Sequence, residues 1–133
     1  MDINTQSKRM NKTVWSLLLA ITTSGAWAAS GEDTFKAVCA TCHAQGLAGA
    51  PKTGDAKVWG KLIKEGQVNL TADGYNGVRG MPARGGRAEL TVADFGAAVA
   101  YMANQSGANW QDPDEAMLKK INARIERRNA AKK

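Results

Sequence analysis

Cys39-Ala40-Thr41-Cys42-His43 is the stretch on which the reading of this chain turns. The chain has 133 residues with two cysteines and one histidine, and all three fall in this pentapeptide. C-x-x-C-H is the spacing of covalent haem attachment. Two thiols add to the two porphyrin vinyl groups, and the adjacent imidazole reaches the iron from one face. Other uses of these residues fit less well. A thioredoxin-type dithiol needs strand–helix–strand context and gives the histidine no role. A zinc site needs a fourth ligand, and no second Cys/His pair exists.

Upstream of the pentapeptide, Lys8, Arg9 and Lys12 form a basic segment, followed by the apolar run from Val14 to Ile21. Ala26-Trp27-Ala28 is a small-x-small cleavage signal. Together these predict a secretory signal peptide over residues 1–28, cut after Ala28, with export to the periplasm. An uncleaved anchor helix is the alternative, and Met10 is a second candidate start. No other apolar run is long enough to cross a bilayer, so membrane contact is expected to end with cleavage. An exported cysteine pair defaults to a disulfide, but a C-x-x-C bridge closes too small a loop to add much stability. A domain of this size is near the limit at which its own core suffices. A large apolar prosthetic group answers both points.

The formal charge of +6 is unevenly spread. Residues 29–110 hold eight basic and seven acidic side chains, whereas residues 111–133 hold seven and four. The centre is nearly neutral and the excess lies in the tail. A nucleic-acid surface would need a basic face with interleaved aromatics on the folded domain, and none is present.

The chain between reads as short helices joined by Gly-rich loops, without strand alternation or repeats. Gly31 to Thr41 forms a first helix with Glu32 and Asp33 in its first turn. Gly46, Gly49, Pro51 and Gly54 punctuate a loop. Asp55 caps a helix through Glu65, closed by Gly66, with Val58 and Leu62 spaced for its buried face and Trp59 beside them. Residues 67–76 hold at most a short helical turn. Gly77 to Gly86 is a loop around Met81. Thr91 caps a longer helix to about Asn104 with Phe95, Val99 and Met102 as its stripe. After Trp110 the texture changes. Asp112 as cap and Pro113 at the first helical position start a basic amphipathic helix, with Met117, Ile121 and Ile125 as its stripe. The domain limits are residues 29–106 for the haem domain and 107–133 for the tail.

A haem iron used for electron transfer needs a second axial ligand besides His43. Methionine is the usual choice where no second histidine exists, and it raises the potential. Met102 sits on an apolar stripe and Met117 in the tail, where packing is the plainer role. Met81 lies in the irregular Gly80-Met81-Pro82 loop, which suits presentation of sulfur to a flat cofactor.

These residues resemble the class I monohaem c-type cytochromes, and among them the bacterial cytochrome c5 group. The resemblance spans about residues 31–104. It is carried by Cys39 to His43, the run from Gly46 to Lys52, Gly54-Asp55, Trp59, Tyr75-Asn76-Gly77, the run from Gly80 to Gly86, and Ala97 to Met102. The resemblance implies that the Pro51 carbonyl accepts the other ring N–H of His43. It implies that Gly31 and Phe35 meet Tyr101 where two helices cross, and that Trp59 packs at the haem edge near a propionate. Two departures stand out. The c5 group has a cysteine pair after the Gly-Gly of the methionine loop, where this chain has Arg87-Ala88-Glu89-Leu90. The family also tends to place Arg three residues after the Trp. Here that position is Leu62, with Lys61 and Lys64 nearby, so neutralisation of the propionates is left open.

The expectation is an all-α fold: a small cytochrome c domain of about four short helices around one haem c, plus the C-terminal helix. Cys39 and Cys42 form the thioethers, His43 and Met81 are the axial ligands, and Pro51 and Trp59 support them. With both axial positions filled, the function is periplasmic single-electron transfer rather than enzyme catalysis, by a monomer with transient redox-protein partners. The alternative is a dedicated haem subunit or electron acceptor of one periplasmic dehydrogenase, docked through the stripe of the C-terminal helix. An open sixth site would instead mean a haem enzyme or gas sensor.

Overall fold

The computed structural model describes residues 29–133, so the signal-peptide expectation over residues 1–28 lies outside the described residues. Helix α1 runs without a break over residues 31–43, through Gly31–Thr34, Phe35–Cys39 and Ala40–His43. Ser30 caps it, its Oγ accepting from Asp33 N at 3.1 Å. The middle stretch is a π-helix. The wider turn sets the two thiols differently: Cys39 is buried and Cys42 exposed.

Helix α2 is Ala56–Lys64, with Asp55 Oδ1 accepting from Lys57 N and Val58 N at 3.0 and 3.1 Å. Gly66, at φ 87°, ends it. Trp59 is buried, but Val58 is 40% exposed, which corrects its placement on the buried face. The inner face is set by Trp59, Leu62 and Ile63 at i, i+3 and i+4. That turns Val58 away by about 100°.

Helix α3 is Gln67–Tyr75, a full helix where only a short turn was expected. It is covered on two sides. Leu70 and Tyr75 face the main core, while Val68 and Ala72 face the C-terminal helix. A helix buried on two sides shows no single apolar stripe. Helix α4 is Val92–Gln105, capped by Thr91 Oγ1 on Asp94 N at 3.1 Å. Phe95, Val99 and Met102 are buried along it, as their spacing predicts. It crosses α1 at backbone contact through Gly31, and the Phe35 and Tyr101 rings lie 5.2 Å apart there.

Helix α5 is Glu115–Ala131. Its cap is Asp114, whose Oδ1 accepts from Met117 N at 2.7 Å. Asp112 is therefore not the cap, and Pro113 precedes the cap instead of opening the helix. The proline is used elsewhere: a Cβ on Gly96 would stand 2.6 Å from Pro113 Cγ, so its ring lies directly over α4. Ile121 is fully buried and Ile125 nearly so, packed with Ala72 and Val68 of α3. Arg124 Nε and Arg128 Nη1 both reach Asp73 Oδ1, at 3.2 and 3.0 Å. The stripe that the alternative reading would bury against a partner is thus used inside the chain. The fold is all-α, with α5 added outside the haem domain.

Candidate functional site

The last turns of α1 carry Cys39, Cys42 and His43 to the wall of a cavity of about 270 Å³. Its other walls come from Pro51, from Trp59 and Leu62 of α2, from Leu70 and Gly74 of α3, from Phe95, Val99 and Met102 of α4, and from the loop holding Met81. The lining is mostly apolar, and Arg79 is its one charged residue.

His43 is 8% exposed. Its Nδ1 lies 2.9 Å from the Pro51 carbonyl oxygen. A carbonyl can only accept, so Nδ1 is the protonated nitrogen and Nε2 keeps its lone pair. This tautomer suits a metal ligand. The loop supplying Pro51 is itself tied back, with Thr53 N donating to the His43 carbonyl at 2.8 Å. Trp59 lines the cavity with its ring, but its Nε1–H is engaged by the Lys52 carbonyl at 3.0 Å. Burial pushes the Cys39 thiol up to about 11. Neither cysteine is in a disulfide.

Met81 is placed by a two-residue turn. Val78 N donates to Met81 O at 3.2 Å and Met81 N to Val78 O at 2.9 Å, with Arg79 and Gly80 at the tip. Gly74 leaves room behind it: a Cβ there would stand 3.1 Å from Phe95 Cζ and 4.0 Å from Met81 Cε. Phe95 in turn meets the Tyr75 ring edge-on at 5.5 Å. Downstream of the turn, the segment is held by polar ties. Tyr75 Oη donates to the Leu90 carbonyl at 3.1 Å, Arg84 donates to the Ala88 carbonyl, and the Arg84 guanidinium lies 4.9 Å above the Tyr75 ring.

Met102 lines the same cavity but is 3% exposed on the packed α4 stripe, and Met117 packs with the tail cluster. Arg79 is the charged cavity residue that the sequence reading passed over. Its signal was a long cation in the run Gly77-Val78-Arg79-Gly80, two residues before Met81. Among the described residues, no group of three or more His, Cys, Asp or Glu side chains could hold a metal ion. The donor set instead comprises one imidazole with a free Nε2, two thiols, and thioethers, within apolar walls. It fits a flat metal-bearing macrocycle attached through sulfur.

A helical wrap with C-x-x-C-H at the end of its first helix and a methionine loop across the same cavity defines a c-type cytochrome. The family model described as cytochrome C oxidase, cbb3-type, subunit III matches residues 26–102. Cytochrome c-555 of Chlorobaculum tepidum is 51% identical over 83 residues, covering 59% of this chain and 77% of that protein. Cytochrome c5 of Azotobacter vinelandii is 35% identical over 80 residues, covering 59% of this chain and 96% of the relative. A solved structure described as an electron transfer complex of nitrite reductase with cytochrome c contains a similar chain. It has a TM-score of 0.55 and 41% identity, covering 57% of this chain and 93% of that one. The chain belongs to the class I monohaem c-type cytochromes and resembles cytochrome c5. It is an electron-carrying haem protein with one covalently bound haem c. Helix α5 lies beyond the residues the family model matches.

Proposed function

We propose that this chain is a periplasmic single-electron carrier whose haem is held by Cys39 and Cys42 as thioethers and by His43 and Met81 as axial ligands. The bound haem supplies a one-electron ferric/ferrous couple. The chain's own residues fix and shield it. Pro51 holds the imidazole in the tautomer that offers Nε2. The two backbone bonds of the Val78–Met81 turn fix the methionine's place. Phe95, Leu70 and Val99 exclude water from the walls, which raises the potential by disfavouring the more highly charged ferric state.

The observation that carries this reading is the 2.9 Å contact of His43 Nδ1 with the Pro51 carbonyl, beside a cavity that both thiols and Met81 also line. With His43 and Met81 both holding the iron, a bound haem would offer no site to a substrate, so the chain acts as a carrier and not an enzyme. Its partners are redox proteins met transiently at the exposed side near Cys42 and Leu47, and Leu47 is 57% exposed. Docking through the α5 stripe has no support, because Ile121 and Ile125 are buried within the chain. Among the described residues no helix is long and apolar enough to cross a membrane.

A reductive titration of the purified protein tests the carrier reading. One electron per chain, low-spin spectra in both states and no binding of carbon monoxide to the ferrous form are expected. A ferrous form that binds carbon monoxide readily would mean an open or labile sixth position and would overturn it.

A further inference from the structure

We infer that Arg79 is the counter-ion of the haem: its guanidinium pairs with a propionate carboxylate and keeps the reduced state favoured. The inference rests on the haem seating proposed above. Haem brings two anionic propionates to a mostly apolar cavity. A carboxylate placed against low-dielectric walls without a partner is costly. Leu62 of α2 lines the cavity beside Trp59 and brings no charge. Lys61, Lys64 and Arg79 are all exposed, but of the three only Arg79 lines the cavity. The Trp59 N–H is taken by the Lys52 carbonyl. Arg79 is the one charged residue left in the lining, and a guanidinium matches a carboxylate with two parallel hydrogen bonds.

Two further observations bear on Arg79. Its φ is +53°, a left-handed conformation it shares with Ala48 and Arg84 and which the two-residue turn carrying Met81 imposes at its tip. Arg79 also has no ion-pair partner among the described residues. Of the other two arginines between residues 29 and 106, Arg87 pairs with Glu89 and Arg84 lies over Tyr75. The turn that fixes Met81 fixes Arg79 as well, so the cation is held in register with the axial sulfur. A positive charge on the propionate lessens the negative field at the iron and so favours the ferrous state.

The test is equilibrium redox titration of the holoprotein carrying Arg79→Gln, Arg79→Lys, Arg79→Gly or Lys64→Gln. Arg79→Gln lowers the iron's affinity for its electron by roughly threefold, which is about 28 mV for one electron. Arg79→Lys keeps most of the wild-type value. Arg79→Gly suits the positive φ, so it lowers the potential like Arg79→Gln without loss of thermal stability, separating charge from folding. Lys64→Gln removes an equal charge outside the cavity and shifts the potential less. An unchanged potential in Arg79→Gln, an equal fall in Arg79→Lys, or an equal fall in Lys64→Gln would each overturn the assignment. Absence of the far-red sulfur–iron band from the wild type would refute Met81 ligation alone; the comparison among variants would still decide Arg79.

Discussion

One added methyl group at Gly31 tests whether α1 and α4 meet at backbone contact. A Cβ there would stand 2.3 Å from the Ala97 carbonyl oxygen, 2.7 Å from its carbon and 3.3 Å from Tyr101 Cβ. Ordinary contact begins near 3.4 Å, so the crossing must open by about 1 Å. The two nearest atoms are backbone, so no rotamer change relieves the clash. Opening the crossing also loosens the Phe35–Tyr101 contact beside it. Overpacking of this kind costs roughly 2–3 kcal/mol. The intrinsic preference of alanine over glycine in a helix returns at most about 1 kcal/mol. A net loss of roughly 2 kcal/mol corresponds to a fall in Tm of about 8–16 °C for a domain near this size. Thermal unfolding of Gly31→Ala holoprotein, followed by far-ultraviolet circular dichroism, reads it directly. An unchanged or raised Tm would mean that helix propensity outweighs the clash and that the crossing is looser than described.

Ile121→Ala should cost about 2–4 kcal/mol in denaturant unfolding, because Ile121 is fully buried between α5 and α3. A loss under 1 kcal/mol would place α5 off the domain. Asp73→Asn removes one partner of both Arg124 and Arg128 and should cost about 1 kcal/mol at low salt, less at high salt. Cys39→Ala/Cys42→Ala, which cannot attach haem, should lose most of its helical circular dichroism signal. Leaving a 270 Å³ cavity unfilled would cost about 6 kcal/mol, comparable to the whole stability of a small domain.

Features governed by local chemistry were legible in the sequence. Asp55 and Thr91 cap their helices because a short side-chain oxygen reaches a free N–H two or three residues on, whatever lies around it. The α4 stripe was legible because its large apolar side chains Phe95, Val99 and Met102 fall on one face, while its other buried positions are alanine or glycine. Helix α3 was missed because it is covered on two sides, so Leu70 and Val68 belong to different cores. Val58 was misplaced because burial of α2 is set by tertiary contact at Trp59, not by apolarity of each residue. The start of α5 lies two residues later than expected, and the Pro113 ring packs over Gly96 instead, a contact with no local signature. At the site, motif and resemblance pointed to the cysteines, His43, Met81 and Pro51, and the fold brings these residues to one cavity. Arg79 was not legible, since its distinction is that other charges are absent from a cavity built from four helices and two loops.

The central claim is that Met81 sulfur sits on the iron opposite His43. The ferric spectrum of the holoprotein, recorded with and without Met81→Ala, tests it most directly. The account predicts a low-spin spectrum with the weak far-red sulfur–iron band in the native protein, and loss of that band in the variant. A native spectrum that is high-spin, or a band that survives in Met81→Ala, would contradict it.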